Sequence, residues 1–293
     1  MRILLTGNEG YVGVGLQKYF EERGHHVVGW SRKQDILNLK NSDLIREKID
    51  LVVNAAAAMG RAVSTYQAGG LDEKVNFLGV RHLVAELKTT QIPLIHISTK
   101  DIYGSVYAPH DLTDEGSKLM PNRLIEDHQL FNPSTLYAMT KLMGEFALSE
   151  YSHANAIRLS SGYTDFYHRR GNWMSAFIQK YLNDEAVTLS GDGKQVRDPL
   201  HVYDLGRLIL KMFETHKWGY KVNAGGGLLN AISILEFAQL VSPDMKINFQ
   251  GSGDTGFISS NTRARNEFGW EPEINVRQRV PLLIENIKRK TER

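Results

Sequence analysis

Tyr137 and Lys141 lie four residues apart in the stretch LYAMTK, a spacing that puts both side chains on one face of a helix. A phenol has an ordinary pKa of about 10, so a neighbouring ammonium group would favour the phenolate and suit it to proton transfer. Tyrosine and lysine are also common on the solvent-facing side of helices. Taken alone, the pair predicts either an acid–base site or an ordinary helix surface.

Three glycines, Gly7, Gly10 and Gly13, follow the apolar run RILLT and precede the helical pattern VGLQKYFEERG. Glycines at a strand-to-helix turn let the backbone approach the pyrophosphate of a dinucleotide, and the helix N-terminus supplies free N–H groups. The spacing is G-x-x-G-x-x-G rather than G-x-G-x-x-G. The turn predicts a dinucleotide site, with S-adenosylmethionine binding or a purely structural turn as alternatives.

Ser31, Arg32 and Lys33 follow the next apolar run, HHVVGW, where a carboxylate would bind the free 2′-hydroxyl of NAD. A small hydroxyl and two cations suit the 2′-phosphate of NADP instead, because guanidinium binds phosphate through charge-assisted hydrogen bonds. The alternative is a solvated loop with ordinary charges. The sequence favours NADP as cofactor, with NAD as the second choice.

Composition restricts the class of protein. The 293 residues are 42% hydrophobic and 23% charged, with a net charge of +2 and no cysteine. These values are typical of a globular protein, and they argue against nucleic acid or anionic membrane as the main partner. The absence of cysteine excludes disulfides. We find no apolar run long enough for a signal peptide or membrane span and no metal-ligand pattern of histidines. We therefore expect a cytoplasmic, unanchored protein without a metal site.

Short β-branched runs alternate with longer helical patterns as far as residue 161. This alternation predicts an α/β fold with a Rossmann-type doubly wound parallel sheet. Beyond that point the pattern loosens and indicates a smaller, mixed α/β lobe. We expect a dinucleotide-binding domain over residues 1–161, completed by segments near 195–225, and a discontinuous substrate-binding lobe over residues 162–293. No linker separates the two, so we expect a cleft between them.

Six motifs follow one another along the chain: TGNEGYVG, NAAA, HISTKDIYG, YAMTK, GDGKQVRDPLHVYDL and FGWEPEINVRQRV. In this order they resemble the extended short-chain dehydrogenase/reductase family of nucleotide-sugar epimerases, dehydratases and reductases. The resemblance covers nearly the whole chain, and the set is specific although each motif alone is not. It implies an NAD(P) cofactor, a nucleotide-sugar substrate and a possible homodimer.

The resemblance assigns roles to the pair considered first. It implies that Tyr137 is the catalytic acid/base, that Lys141 is its partner, and that the Thr99 hydroxyl binds the reacting sugar oxygen. Together with the glycine turn and the cations after the second strand, it predicts a cofactor-binding set. That set is Thr6, Gly7, Gly10, Tyr11, Val12, Gly13, Ser31, Arg32, Lys33, Asp35, Ile36, Ala55, Ala56, Ala57, Asn76, Ser98, Tyr137 and Lys141.

Candidate substrate residues lie in the second half of the chain. Arg197, in QVRD, matches the arginine that binds the substrate diphosphate in the family, and an ion pair with Asp198 is its alternative role. Asn172, in RGNW, loosely matches an asparagine near the substrate phosphates. His168, in DFYHRRGN, is a further candidate, with a structural role as the alternative.

Lys100 marks a departure from the family pattern. Dehydratases carry STDEVYG, whereas this chain has STKDIYG, so that Lys100 replaces the acid and Asp101 replaces the glutamate. Lysine is a poor substitute for that acid, which argues against a 4,6-dehydratase. Lys100 either acts as an acid/base beside the sugar or points to solvent.

These features predict an NADP-dependent oxidoreductase that acts on a nucleotide-linked sugar. The main prediction is reduction of a 4-keto group with hydride from NADPH and a proton from Tyr137. The alternative is a redox-neutral 4-epimerase with tightly bound NAD(P). A regulatory subunit that binds a cofactor without doing chemistry is the third possibility, and the intact Tyr137, Lys141 and Thr99 argue against it.

Overall fold

The computed structural model describes residues 1–59, 70–166 and 171–291. Its strands, in chain order, are β1 (Arg2–Thr6), β2 (His26–Trp30), β3 (Leu51–Asn54), β4 (Leu94–Thr99), β5 (Leu112–Asp114), β6 (Leu119–Pro121), β7 (Ala154–Leu159), β8 (Gly162–Tyr163), β9 (Val187–Ser190), β10 (Val196–Arg197), β11 (Leu200–His201), β12 (Lys221–Ala224), β13 (Ile232–Ser233) and β14 (Ile247–Gln250). Its α-helices are α1 (Tyr11–Glu21), α2 (Asn41–Arg46), α3 (Gly79–Leu87), α4 (Leu136–Ala147), α5 (Trp173–Leu182), α6 (Val202–Thr215), α7 (Ile234–Val241), α8 (Thr262–Phe268) and α9 (Val276–Thr291).

A parallel sheet in the order β12-β7-β4-β3-β1-β2 forms the centre of the first part. Strands β3 and β4 are buried along their whole length, as expected for parallel strands covered on both faces. One face packs against α1, α6 and α8, and the other packs against α3 and the end of α4. The predicted Rossmann-type doubly wound α/β fold is confirmed.

The second part of the chain contains shorter pairings. Strand β9 pairs with β14, β10 with β13 and β8 with β11. Helices α5, α7 and α9 enclose a separate core around Ile178, Phe237 and Val280. Strand β12, from the segment expected to complete the first domain, pairs with β7 in the central sheet. The domain boundaries themselves stay a prediction.

A row of buried polar side chains crosses three neighbouring strands of the central sheet. The Thr6 hydroxyl donates to Asn54 Oδ1 at 2.6 Å, and Asn54 Nδ2 donates to His96 Nδ1 at 3.1 Å. The three residues are in register on β1, β3 and β4. Burial, and next the charge of Lys141, hold the pKa of His96 well below its ordinary value, so its imidazole is neutral.

No helix in the described part of the chain combines the length and the apolar character needed to cross a bilayer.

Candidate active site

Helix α4 begins at Leu136, after Thr135, whose hydroxyl accepts a hydrogen bond from the Ala138 N–H at 3.1 Å. Tyr137 lies in the first turn and Lys141 follows one turn later. Lys141 is only 1% exposed, and its ammonium group donates to the Ile97 carbonyl near the end of β4. The helix therefore turns the pair inwards, and the reading of Lys141 as an ordinary helix surface residue is wrong.

The Tyr137 phenol lies beside the Thr99 hydroxyl at the end of β4. Burial raises the pKa of Tyr137 above its ordinary value, and the Asp101 carboxylate raises it further, while a hydrogen bond with Thr99 acts in the opposite direction. Lys141, which the sequence led us to expect would lower the pKa of Tyr137, is not among the described groups that shift it. The phenol is therefore a proton donor at neutral pH, and forming its phenolate requires additional positive charge in the site.

The pKa of Lys141 shifts in the opposite direction to that of Tyr137. Burial lowers the pKa of Lys141 to about 7, and the Glu145 carboxylate, one helical turn further on, opposes that shift. The side chain can therefore exchange its proton in the neutral range, as general acid–base chemistry requires.

The glycine turn between β1 and α1 is tightly packed. Gly7 has φ +70°, and a Cβ there would lie 2.7 Å from the Ala56 Cα; a Cβ on Gly13 would lie 2.1 Å from the Gly7 carbonyl oxygen. Helix α1 begins at Tyr11, and its N-cap residue Gly10 supplies no side-chain hydrogen bond to the first turn. The turn thus fits a dinucleotide pyrophosphate, because backbone can come close and N–H groups remain available.

Other predicted cofactor-binding residues differ in whether their polar groups already form hydrogen bonds within the protein. Ser98 is buried, and its hydroxyl has no hydrogen-bond partner in the part of the chain that the structure describes. Asn76 instead exchanges hydrogen bonds with both backbone groups of Ala58 and donates to Thr140 Oγ1 at 3.1 Å. It therefore ties the segment after β3 to α4. Backbone N–H groups of Ala55 and Ala56 bond back to Thr6.

In the segment after β2, one of the two cationic side chains makes no ion pair within the described residues. Ser31 Oγ pairs with Gln34 Oε1 at 2.8 Å, and the exposed Lys33 lies 4.0 Å from Glu9 Oε1. Arg32 is exposed and makes no ion pair within the described residues. Of the three residues, Arg32 is the one left available for a phosphate.

Asp35 and Ile36, two neighbouring members of the predicted cofactor-binding set, have different surroundings. Asp35 caps a short 3₁₀ turn by accepting from the Leu37 N–H at 3.0 Å. Ile36 is buried and packs in the core beneath the sheet, where a Cβ on Gly79 would meet its methyl group at 2.7 Å. Ile36 therefore acts as a core residue in this structure.

A cavity of about 270 Å³ lies in the second part of the chain. Arg197 lines it, and its guanidinium pairs with the Asp254 carboxylate at 2.5 Å. Burial works against ionisation of Asp254, but the Arg197 charge holds the pKa of that carboxyl below its ordinary value. The alternative pairing of Arg197 with Asp198 is wrong, because Asp198 bonds to the Ser160 hydroxyl and the Ser259 N–H instead.

The other two substrate candidates in this part of the chain are Asn172 and His168. Asn172 caps α5, accepting from the Ser175 N–H at 3.2 Å and donating to the Gly162 carbonyl at 2.8 Å. Both polar ends of its side chain are therefore engaged. His168 lies outside the described residues.

Lys100 forms an ion pair with its neighbour. Its ammonium group is 2.8 Å from Asp101 Oδ1 and 5.2 Å from the centre of the Phe257 ring. The Asp101 N–H also donates to the Thr99 hydroxyl at 3.2 Å, which places the pair directly beside the candidate catalytic residue Thr99. The structure therefore places the Lys100 ammonium group against Asp101 rather than free in solvent. The role of Lys100 as an acid/base beside the sugar stays a prediction.

Sequence reasoning missed part of the substrate side. Trp173 and Phe177 line the cavity with Arg197, although neither was among the predicted site residues. Asp254 was missed because its partner lies 57 residues away and the turn GSGDTG carries no local sign of it. Glu145 was missed although its spacing from Lys141, one helical turn, could have indicated contact.

The parallel sheet, the glycine turn and the grouping of Thr99, Tyr137 and Lys141 are typical of one class of protein. The chain belongs to the NAD dependent epimerase/dehydratase family, whose model matches residues 3–225. It is an enzyme of the extended short-chain dehydrogenase/reductase type, as the ordered motifs predicted.

Individual relatives are distant but match over their length. The chain is 23% identical to a putative UDP-glucose 4-epimerase of Methanocaldococcus jannaschii, covering 98% of each protein. It is 24% identical to UDP-glucuronic acid decarboxylase 4 of Arabidopsis thaliana, covering 99% of this chain and 69% of the relative. Among solved structures, the UDP-glucuronic acid 4-epimerase of Bacillus cereus, in complex with UDP-glucuronic acid and NAD, superposes with a TM-score of 0.82 at 22% identity, covering 99% of this chain and 100% of that one. None of these three is described as a keto reductase, so they support the epimerase alternative better than the main prediction.

Proposed function

We propose that the enzyme is a redox-neutral 4-epimerase of a nucleotide sugar that works with a nicotinamide dinucleotide. The observation that carries this proposal is the meeting of Tyr137, Thr99 and Lys141 at the end of β4. Family membership supports an epimerase or a dehydratase, and the Lys100–Asp101 ion pair argues against the dehydratase because it leaves no free acid there.

The residues divide the work as follows. Tyr137 takes the proton of the hydroxyl on the reacting carbon and returns a proton to that oxygen once the opposite face of the carbon has been reduced. Thr99 binds the same oxygen and keeps it in reach of the phenol. Lys141 supplies positive charge beside the phenolate and binds the cofactor ribose. A nicotinamide ring, when bound, supplies reversible hydride acceptance.

The substrate side binds the nucleotide. Arg197 binds the diphosphate, since its guanidinium lines the cavity and is held by Asp254. Trp173 and Phe177 give the cavity aromatic walls against which a nucleobase packs. This division puts the sugar near Tyr137 and the nucleoside in the second part of the chain.

The proposed cofactor determinant is Arg32 alone. Because Arg32 is exposed, its contact with a 2′-phosphate is screened by water and should contribute less than about 1 kcal/mol. Arg32→Ala should therefore weaken NADPH binding by less than about tenfold and leave NADH binding unchanged, with Lys33→Ala as the matched control. Titration of cofactor fluorescence measures both constants, and equal effects on the two cofactors would exclude a role for Arg32 in the choice.

The epimerase proposal is tested in D₂O with UDP-glucose and UDP-glucuronic acid. If the hydride returns to the carbon it left, the product is an epimer of unchanged mass after exchange of its hydroxyl deuterons into H₂O. Reduced-nicotinamide absorbance should also stay constant over many turnovers. Stoichiometric loss of added NADPH with a 4-keto sugar would establish the reductase instead, and loss of water from the product would establish a dehydratase.

A further inference from the structure

Arg158 and Glu145 form a buried ion pair next to the catalytic helix. Arg158 lies on β7 and is 3% exposed, and Glu145 lies on α4 and is 1% exposed. Arg158 Nε is 3.1 Å from each carboxylate oxygen of Glu145, and Nη2 is 2.9 Å from Oε2. An ion pair of this kind is costly to desolvate and is retained for its geometry more readily than for stability.

The guanidinium also reaches the turn that follows β4. Arg158 Nη1 donates to the Tyr103 hydroxyl at 2.7 Å and to the Asp127 carbonyl at 2.7 Å. The Tyr103 hydroxyl in turn donates to Asn223 Oδ1 at 2.7 Å, and the Asn223 N–H donates to the Asp127 carboxylate. We call these five residues the Arg158 network.

The Arg158 network joins the two segments that carry the proposed reacting groups. Tyr103 ends the 3₁₀ turn Lys100–Tyr103, which starts directly after Thr99. Glu145 lies one turn after Lys141 on the helix that also carries Tyr137. A single planar guanidinium thus holds both segments, and Arg is suited to this because its donors form a rigid fork.

We propose that Arg158 is a positioning residue that fixes the catalytic helix against the Thr99 turn and withholds the Glu145 carboxylate from Lys141. This inference rests on the proposed function, since it assigns Tyr137, Lys141 and Thr99 to the reaction. The second part of the proposal, that Arg158 withholds the Glu145 carboxylate from Lys141, concerns charge. One carboxylate, Glu145, serves two buried cations, Arg158 and Lys141, and three hydrogen-bond contacts commit it to Arg158.

Charged or titratable groups near Lys141 and its partner Glu145 lie on α4, β4 and β7. Tyr137 and Glu145 share its helix, His96 faces it from β4, and Arg158 faces Glu145 from β7. Tyr103 and Asp127 complete the surroundings of Arg158, and burial raises the pKa of both. Around Lys141 itself, Glu145 is the carboxylate whose charge counters burial.

Removing Arg158 and removing Glu145 should therefore shift the pKa of Lys141 in opposite directions. Arg158→Met removes a cation and frees the carboxylate, so the pKa of Lys141 should rise. Glu145→Gln removes the carboxylate, so the pKa should fall. The ε-carbon signal of Lys141 in ¹³C-lysine-labelled protein, assigned with Lys141→Arg, measures both shifts without requiring turnover.

Activity provides the second measurement. Arg158→Met should lower kcat for the nucleotide sugar by about tenfold to a hundredfold with KM nearly unchanged, because misplacement affects the transition state more than binding. Arg158→Lys should recover only part of the loss, since an ammonium group cannot bond to Glu145 and Tyr103 as a fork. Tyr103→Phe, which leaves the ion pair intact, is the matched control and should cost less than Arg158→Met.

The double variant Arg158→Met with Glu145→Leu keeps the test valid if the single variants fold poorly, because it leaves neither member of the Arg158–Glu145 ion pair buried without its partner. It should melt near the wild type and still show the reduced kcat. A folded double variant with wild-type kcat would overturn the positioning role, and unidirectional pKa shifts in the single variants would overturn the role of charge. If the wild type converts no nucleotide sugar but the two pKa shifts are opposite, the proposed function fails while the coupling of Arg158 to Lys141 stands.

Discussion

The proposed catalytic region around Lys141 is buried, and the proposed substrate region around Arg197 and Asp254 is more open to water. Lys141 is 1% exposed, whereas the Asp254 side chain that holds Arg197 is 53% exposed. Burial moves the pKa of Lys141 to about 7, but at the substrate end a neighbouring charge is enough to keep Asp254 ionised. The interior therefore tunes proton transfer, while the exposed end recognises charge at little structural cost.

The two ends should accordingly respond differently to substitution. Variants at the catalytic end should change turnover, and variants at the substrate end should change affinity. The variants of Tyr137, Arg197 and Lys100 described below test this separation, and the variant of Asp198 tests what burial of a carboxylate does to stability.

Tyr137→Phe should have the largest effect. The change removes only the hydroxyl, so turnover should fall by about 10²–10⁴-fold, the usual loss of an acid/base group, while cofactor affinity stays the same. Tyr151→Phe is the control, because the Tyr151 hydroxyl donates to the Ile92 carbonyl at 2.8 Å, away from the proposed reacting groups. Steady-state kinetics with a nucleotide sugar measures the loss, and near-normal turnover would remove Tyr137 from the mechanism.

Asp198→Asn should have the next largest effect, on stability. Burial raises the pKa of Asp198 to about 6, so its proton is held more tightly in the folded chain than in the unfolded one. That contribution to stability is complete below about pH 4 and is lost as pH rises through about 6. The variant should not lose it, so the variant's stability relative to the wild type should rise by about 2 kcal/mol between about pH 4 and pH 7. Urea unfolding at several pH values tests this, and parallel curves for the two proteins would contradict it.

Arg197→Ala should raise KM for the nucleotide sugar by about tenfold to a hundredfold and leave kcat and cofactor binding nearly unchanged. The reason is the loss of a charge-assisted contact with the diphosphate. Asp254→Asn keeps the guanidinium but removes its partner, and should have a smaller effect. Thermal melting is the control: a lower melting temperature with normal KM would make Arg197 a structural residue.

Lys100→Met should have a smaller effect, of about tenfold on kcat, for an electrostatic reason. Without its partner, the Asp101 carboxylate would raise the pKa of Tyr137 further, and one pKa unit corresponds to about a tenfold change. The double variant with Asp101→Asn should recover most of the loss, because it removes the unpaired charge. No recovery in the double variant would indicate that Lys100 itself contacts the substrate.

The difference between the two ends also explains what could be predicted from sequence. The glycine turn follows β1, Thr99 ends β4, and Tyr137 and Lys141 lie on α4, so the local motifs that predicted these positions also predicted the fold. For Arg197, the alternative role considered was an ion pair with the adjacent Asp198, because sequence neighbours are the contacts that a motif reveals. The structure pairs Arg197 with the distant Asp254 instead. Asn172, Ile36 and Asn76 were assigned to ligands, yet capping and core packing engage their side chains here. Such roles depend on long-range packing, which residue spacing does not encode.

The polar row Thr6–Asn54–His96 has a consequence for how the sheet assembles. Side chains alternate between the faces of a strand, so a one-residue slip between β1, β3 and β4 would turn partners to opposite sides. Each amide or imidazole left unpaired in the apolar interior would cost about 1–3 kcal/mol. Apolar neighbours such as Val52 and Val53 could tolerate such a slip, since both are buried in either alignment. The row therefore disfavours sheets in which these strands pair in the wrong register during folding. It also fixes the register of β1, which precedes the glycine turn, relative to β4, which ends at Thr99.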